Sequence, residues 1–260
     1  MKRITINGLS IWQFESLMAD PSIRHFVTDR KSGVNGTEFT LSFSSIPDKD
    51  LIRQNRAMVA RVMDTDPAHL FFPSQVHLTR IVHVTKTTTK EELLETDALI
   101  TSTPWLCIAV MSADCVPILV YDKRNNAVGA VHSGWRGTVA RILEKTLQKM
   151  HQTFGTRGRD VIACIGPSVC QESYEVGEEV VAAVDNAFGA HNELMIREPD
   201  HKARLDLWKA NMLQLLEFGV DRNSIEVAGL CTVKNNDYFF SARKGDAGRF
   251  AAGIMLVEHG

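Results

Sequence analysis

Three side chains that could perform chemistry lie in short segments at the ends of apolar runs. They are His77, Cys115 and His132. Imidazole nitrogen and thiolate sulfur are common zinc ligands. A structural zinc site usually has four protein ligands, whereas a catalytic site has three and keeps one position open. Three candidate ligands that are distant in sequence therefore predict a catalytic metal site. The same cysteine and histidines could instead form a thiolate–imidazolium pair for covalent chemistry.

Each of these residues also has an ordinary structural explanation. A single histidine is most often a packed or surface residue, and a cysteine between apolar runs is usually a small hydrophobic residue. Cys115, however, follows Asp114 and precedes Pro117 by two positions, which predicts an irregular backbone. His132 begins a glycine-containing loop that leads into a helix, and Arg136 in that loop could contact a phosphate or carboxylate. Considered together, these residues favour a functional site.

The composition limits the classes of protein. The chain has 260 residues, of which 44% are hydrophobic, so we expect one domain over residues 1–260 with a sizeable core. The net charge is -2 and basic residues form no run, so no nucleic-acid partner is expected. No apolar stretch is long enough to span a membrane. The five cysteines form no Cys-x-x-Cys pair and the start lacks a secretory signal, which predicts a cytoplasmic protein. The oligomeric state stays open.

The apolar patterns predict strands and helices that do not alternate in strict β-α-β order. The predicted helices are residues 48–63, 138–152, 178–188 and 206–218. The predicted strands are residues 39–43, 80–84, 106–111, 116–121, 127–131, 161–165, 225–230 and 253–257. Pro117 predicts that its strand lies at a sheet edge or begins at a bulge. This mixture is typical of an α+β fold with mixed β-sheets.

Segments along nearly the whole chain resemble the laccase-domain family of multifunctional purine nucleoside phosphorylases, first described as multicopper polyphenol oxidases. The most specific motifs are Ala-Asp-Cys at residues 113–115 and His-Ser-Gly-Trp-Arg-Gly at residues 132–137. The other matching segments are residues 75–77, 96–98, 116–118, 165–167, 170, 174–176, 205–207, 239–243 and 248–249. The resemblance implies a four-layer α/β/β/α sandwich, which agrees with the α+β fold predicted above.

The resemblance also implies a metal and an activity. The matching family residues bind one zinc ion, with copper also reported, which places the metal on His77, Cys115 and His132. Cys115 and His132 are then the catalytic residues. The implied reaction is phosphorolysis of inosine, adenosine or guanosine to the free base and ribose 1-phosphate. Adenosine deamination and methylthioadenosine cleavage are reported for relatives. The expected partners are thus a small nucleoside and phosphate.

Phosphorolysis requires an anion site beside the metal. Our candidates for binding phosphate are Arg136, at the expected helix entry, with Arg30 and Arg243 from other segments. Because an arginine on a protein surface is usually only solvated, we expect at most two of these three to bind the anion.

Two other functions stay open. A metal-free Cys–His hydrolase or amidase that edits cell-wall precursors would use Cys115 as nucleophile and His132 or His77 as base. A copper-dependent polyphenol oxidase would need several copper centres to reduce dioxygen to water. The nine histidines form no His-x-His cluster, so the sequence ranks the oxidase last.

Overall fold

Fifteen strands and six α-helices build the fold in residues 1–33, 38–189, 193–197 and 202–258, which the structure, a computed structural model, describes. The strands are β1 Lys2–Ile6, β2 Leu9–Gln13, β3 Ile23–Val27, β4 Leu70–Phe71, β5 Ile81–His83, β6 Ala98–Thr101, β7 Cys107–Ser112, β8 Val116–Asp122, β9 Ala127–Ser133, β10 Val161–Ile165, β11 Glu175–Val176, β12 Met195–Arg197, β13 Ala203–Leu205, β14 Ile225–Val227 and β15 Phe250–Leu256. The helices are α1 Glu15–Met18, α2 Lys49–Met63, α3 Trp135–Val139, α4 Ile142–Phe154, α5 Glu178–Phe188 and α6 Leu207–Glu217.

Two six-stranded sheets dominate the architecture. The first has the order β1-β2-β3-β15-β7-β4 and the second the order β14-β10-β8-β9-β6-β5. Both are mixed: β4 is parallel to β7 in the first, and β14 is parallel to β10 and β5 to β6 in the second. The strands β11, β13 and β12 form a small antiparallel sheet. No described helix is long and apolar enough to cross a membrane.

Three clusters of buried apolar side chains hold the layers together. Val110 of the first sheet and Leu119 of the second belong to the cluster between the sheets. On the outer face of the first sheet, α2 contributes Val59 to a second cluster. Helices α4, α5 and α6 cover the outer face of the second sheet, where Leu147 is fully buried. The layers therefore run α/β/β/α, and the predicted fold is confirmed.

Local hydrogen bonding explains where the helix predictions succeed and fail. The predicted helix 48–63 is confirmed, and the Asp48 side chain caps it by accepting from the N–H groups of Asp50 and Leu51. The predicted helix 138–152 is instead two helices, because Arg141 adopts a left-handed conformation with φ 60° between α3 and α4. Arg136 therefore lies in the five-residue helix α3 and not at the entry of a long one.

The predicted strand 39–43 is wrong, although its alternation is real. Phe39 and Leu41 are fully buried, as expected for the inward-facing residues of a strand that has one face on the core. Their N–H groups, however, donate to the carbonyls of Arg30 and Arg249, which belong to two different segments. Because a ladder needs one continuous partner strand, this segment forms none.

The strand that contains Pro117 lies inside the second sheet, so its predicted edge position is wrong. It pairs with β9 along its whole length, but its pairing with β10 begins only at Ile118. Proline lacks an N–H group and is tolerated near the start of a strand, before both neighbours are engaged. The neighbouring strand β9 runs through Ser133, so His132 belongs to a strand and does not begin a loop.

His25 on β3 provides a test of this fold through its protonation. Its Nε2 accepts a hydrogen bond from the Phe14 N–H at 2.8 Å, which requires the neutral ring. Burial lowers the pKa of His25 from 6.5 to about 4, and the charge of Glu226 offsets only part of this effect. The unfolded chain therefore binds more protons than the native one between these pH values. The free energy of unfolding should fall by about 3 kcal/mol through this group as the pH drops from 6.5 to 4.

Urea denaturation over this pH range will measure the effect. His25→Gln keeps an acceptor for Phe14 but does not titrate, so its free energy of unfolding should depend less steeply on pH. His69→Gln, at an exposed histidine, is the matched control and should keep the steep wild-type dependence. Equal slopes in His25→Gln and the wild type would contradict this account.

Candidate metal centre

The three predicted ligands meet at one end of the sandwich, where the chain passes from one sheet to the other. His77 lies in the connection from β4 to β5, and Cys115 in the turn from β7 to β8. His132 is the last residue but one of β9. Because β8 and β9 are antiparallel and Pro117 pairs with His132, the strand register brings Cys115 beside His132.

The donor atoms of these residues are close enough to share one ion. They all lie within 4.8 Å of one another. His132 is buried, Cys115 is half-buried and His77 is exposed, so the cluster faces solvent on one side. Two imidazole nitrogens and one sulfur suit zinc, and also copper, whereas calcium and magnesium prefer oxygen ligands. The donor set thus fits a metal with one accessible position, as in a catalytic site.

The carboxylate of Asp97 holds both histidines. One oxygen accepts from His132 Nδ1 at 2.8 Å and from the His77 N–H at 2.9 Å. The other accepts from the N–H groups of Val76 and Leu78, at 3.2 and 2.9 Å. Since Nδ1 of His132 is engaged by Asp97, its Nε2 is the nitrogen left for a metal. Burial alone raises the pKa of Asp97, but these hydrogen bonds and the charge of His132 lower it below its ordinary value.

The same bonds stabilise an unusual backbone at His77. This residue has φ 62°, in the left-handed region that residues other than glycine rarely occupy. Three consecutive N–H groups, from Val76 to Leu78, converge on the Asp97 carboxylate because the chain turns in this way. The buried charge therefore fixes the main chain that presents the exposed ligand.

A second carboxylate, that of Asp114, anchors the turn that carries Cys115. Asp114 also has a left-handed backbone, with φ 87°. Its oxygens accept from Thr232 Oγ1 at 2.5 Å, from Ser241 Oγ at 3.0 Å and from the Arg243 N–H at 2.9 Å. The cysteine is thus tied to the segment that follows β14.

Charge favours a deprotonated sulfur at Cys115. Burial raises the pKa of this thiol, but the charges and hydrogen bonds of His132 and His77 outweigh burial and lower it. Burial lowers the pKa of His132, but the charge of Cys115 and the hydrogen bond to Asp97 outweigh burial and raise this pKa above its ordinary value. A thiolate is the form that binds metals, and it is also the form that attacks carbon in a Cys–His enzyme.

The three candidate arginines have different surroundings. Arg136 stacks on Trp135 at 4.3 Å and is exposed, with its nearest carboxylate, on Glu179, 3.9 Å away. Arg243 is exposed, and its side chain donates to the Glu175 carbonyl at 2.7 Å.

Arg30 lies apart from these two, in an ion-pair network. Its guanidinium bonds to the carboxylates of Asp246 and Glu38 and stacks on Phe240 at 4.8 Å. Asp246 in turn accepts from the Ser241 N–H at 2.8 Å, and Ser241 bonds to Asp114. Arg30 therefore supports the loop behind Cys115, and its charge is already compensated.

Sequence reasoning missed the roles of Asp97 and Asp114, although both lie in recognised motifs. Each is an acidic residue within a few positions of a fully buried strand, Asp97 directly before β6 and Asp114 two residues before β8. A carboxylate at such a position requires donors, which is the signal that would have found them.

We expect Asp97→Asn to weaken metal binding about ten- to a hundredfold, because it removes the charge that orients both histidines. The measurement is a competition titration of zinc against a chromophoric chelator. The control is Asp122→Asn, since Asp122 is an equally buried carboxylate that accepts N–H groups in the turn after β8. Unchanged zinc affinity in Asp97→Asn would show that the carboxylate does not orient the ligands.

Gly134 gives a second test, because it leaves room for the ligands. A methyl group on this residue would lie 2.8 Å from Cys115 Sγ and 3.1 Å from His77 Cδ2. Gly134→Ala should weaken zinc binding through overpacking of about 1–3 kcal/mol. Gly177 is the matched control: it begins α5 with a similar extended backbone, and a methyl group there meets nothing within 4 Å. If both alanine variants bind zinc like the wild type, the ligands do not occupy this arrangement.

Comparison with known proteins identifies the family of this chain. A family model described as multi-copper polyphenol oxidoreductase laccase matches residues 24–257. A purine nucleoside phosphorylase from Bacteroides thetaiotaomicron is 40% identical over 257 residues, which cover 94% of this chain and 95% of that protein. Adenosine deaminase RL5, from an unknown prokaryotic organism, is 35% identical over 209 residues, covering 76% of this chain and 79% of its own.

A solved structure shows the same fold. The crystal structure of YlmD from Geobacillus stearothermophilus has a TM-score of 0.86 and 25% identity to this chain, and covers 98% of both chains. The predicted resemblance is confirmed in sequence and in structure. The chain belongs to the family of the multi-copper polyphenol oxidoreductase laccase model.

Proposed function

We propose that this protein is a zinc-dependent purine nucleoside phosphorylase that converts inosine, adenosine or guanosine and phosphate to the free base and ribose 1-phosphate. The observation that carries the proposal is the cluster of His77, Cys115 and His132, whose donor atoms lie within 4.8 Å of one another. The cluster supports a metal-dependent reaction. The choice of phosphorolysis is supported by the Bacteroides relative, which is 40% identical and is named a purine nucleoside phosphorylase.

The ligand set suits one catalytic ion. When bound, zinc supplies Lewis acidity toward a leaving purine or toward water. Zinc is proposed over copper because the described residues contain one such cluster, whereas reduction of dioxygen to water by an oxidase requires several copper centres. The lowered pKa of Cys115 supports the binding of a cation, since a thiolate is the form of cysteine that binds metals.

The reaction requires phosphate to approach the ribose from a defined side. A phosphate oxygen forms a bond to C1′ of the ribose, the bond from C1′ to N9 breaks, and its electron pair leaves with the purine, which then takes up a proton. Arg136 is exposed and lies two residues after Gly134, which packs against Cys115 and His77. Arg243 is also exposed, and its N–H is bonded to Asp114, the residue before Cys115. We therefore assign phosphate binding to these two arginines and a supporting role to Arg30.

Adenosine deamination is a second candidate activity of the same site. It is favoured by the 35% identity to adenosine deaminase RL5. Water, in place of phosphate, would attack C6 of the purine ring, and the exocyclic amine would leave as ammonia when its bond to C6 breaks. The two reactions therefore need different substrate poses. Methylthioadenosine is a further candidate substrate for phosphorolysis.

The other two functions considered from the sequence receive less support. A Cys–His hydrolase would use the thiolate–imidazolium pair of Cys115 and His132 described above, but the relatives compared above are named for nucleoside chemistry. A polyphenol oxidase has the support of the family model's description, against the single ligand cluster among the described residues.

The proposal predicts that cleavage of inosine requires phosphate and yields ribose 1-phosphate. Arg136→Ala should raise the KM for phosphate roughly ten- to a hundredfold, because it removes a charge-assisted contact. Arg136→Lys should restore part of the loss, since a single ammonium cannot replace a planar fork. Coupled assays for ribose 1-phosphate and for the free base will measure these effects.

Arg124→Ala is the matched control, because Arg124 is an exposed arginine in the turn between β8 and β9, at the opposite end of these strands. Its KM for phosphate should equal that of the wild type. Metal content, measured in parallel, should be the same in all variants. Equal turnover of inosine with and without phosphate would reject phosphorolysis and favour hydrolysis at the same site.

A further inference from the structure

Tyr174 packs against Arg243, whose N–H is bonded to Asp114, the residue before Cys115. Neither the candidate metal ligands nor the proposed arginine contacts account for Tyr174. The residue is 9% exposed and precedes β11 of the small sheet. Its N–H donates to the Gln171 carbonyl, and its carbonyl accepts from the Leu205 N–H, both at 3.1 Å. The main chain that carries the phenol is therefore fixed on both sides.

Arg243 fixes the ring of Tyr174 as well. The Arg243 guanidinium carbon lies 4.7 Å from the centre of the tyrosine ring, and its Nη2 donates to the Glu175 carbonyl at 2.7 Å. The Arg243 N–H also donates to the carboxylate of Asp114, next to Cys115. A single residue thus connects the phenol ring to the turn that carries a metal ligand.

Charges of both signs act on the pKa of Tyr174. Burial raises the pKa of this phenol above its ordinary value. The negative charges of Cys115 and Asp114 raise it further, whereas the guanidinium groups of Arg243 and Arg136 lower it. The phenol is therefore neutral at neutral pH, and its ring lies against the Arg243 guanidinium.

This hydroxyl has an unused donor. Tyr121, by comparison, donates its hydroxyl hydrogen to Asp20 at 3.1 Å. For Tyr174, no hydrogen bond from the hydroxyl to a described residue is present, and the oxygen is not sealed from solvent. A neutral donor whose ring packs against an exposed guanidinium is suited to an oxyanion, since it adds a hydrogen bond to the attraction of the arginine.

We propose that the Tyr174 hydroxyl donates a hydrogen bond to the inorganic phosphate that Arg136 and Arg243 attract, an inference that rests on the phosphorolysis proposed above. Tyr174 then contributes one hydrogen bond to a phosphate oxygen, beside the charges of the two arginines. It is a substrate-binding residue for phosphate, and the nucleoside does not depend on it.

Tyr174→Phe tests this role because it removes the hydroxyl and keeps the ring under Arg243. Titration calorimetry with inorganic phosphate, on protein loaded with zinc, should show about tenfold weaker binding than in the wild type. The KM for phosphate in inosine cleavage should rise by a similar factor, and the KM for inosine should change little. Zinc content and thermal unfolding temperature should stay at their wild-type values.

Tyr238→Phe is the matched control. Tyr238 is 36% exposed and packs edge-on against Trp12, away from the metal ligands. Tyr238→Phe also removes one phenol hydroxyl, but it should leave phosphate binding and both KM values unchanged.

The outcomes separate this inference from the proposed function. If the wild type requires phosphate and Tyr174→Phe binds phosphate equally well, the tyrosine assignment is wrong and phosphorolysis stands. If the wild type binds phosphate but cleaves inosine without it, phosphorolysis is rejected, and the calorimetry alone decides the tyrosine contact. A wild type that binds no phosphate rejects both. Loss of zinc in Tyr174→Phe would also overturn the assignment, because the residue would then support the ligands.

Discussion

The buried carboxylate of Asp97 is the constraint on which the candidate metal centre depends. It accepts hydrogen bonds from the His132 ring and from three consecutive N–H groups around His77. A buried negative charge is costly unless donors surround it, and here the donors belong to the ligands or to their main chain. The same interaction therefore satisfies the carboxylate, leaves Nε2 of His132 as the nitrogen available to a metal, and holds His77 in a conformation with φ 62°.

The sandwich fold explains why such strain is stable. His77 and Asp114 both have left-handed backbones, which cost of order 1–3 kcal/mol each. Both lie in connections between the two large sheets, so the strands on either side determine where these connections begin and end. Hydrogen bonds to charged groups contribute about 1.5–3 kcal/mol each, and each carboxylate accepts several, which is enough to offset the strain. Cys115 is thus held from two directions: by the register of β8 against β9 and by the anchors of Asp114.

Much of the fold and the ligand set could be predicted from the sequence, because apolar periodicity and specific motifs are local signals. The helix 48–63 and the central strands are examples. The irregular backbone of residues 39–43 could not be predicted from the sequence. The alternation of apolar residues correctly indicates burial, but the hydrogen-bond partners of this segment come from distant parts of the chain. Likewise, the sequence cannot show that Arg30 is paired with Asp246, a residue far along the chain, or that Asp97 lies against His132. Proximity in sequence determines none of these contacts.

The central claim is that His77, Cys115 and His132 bind one ion together. X-ray absorption spectroscopy at the metal edge, on protein purified without added metal, tests it directly. The account predicts zinc with one sulfur ligand at about 2.3 Å and two imidazole nitrogens at about 2.0–2.1 Å, with a lighter ligand completing the shell. A bound metal without a sulfur ligand would contradict the assignment of Cys115. Protein with no metal and a freely reactive Cys115 thiol would contradict the metal centre itself.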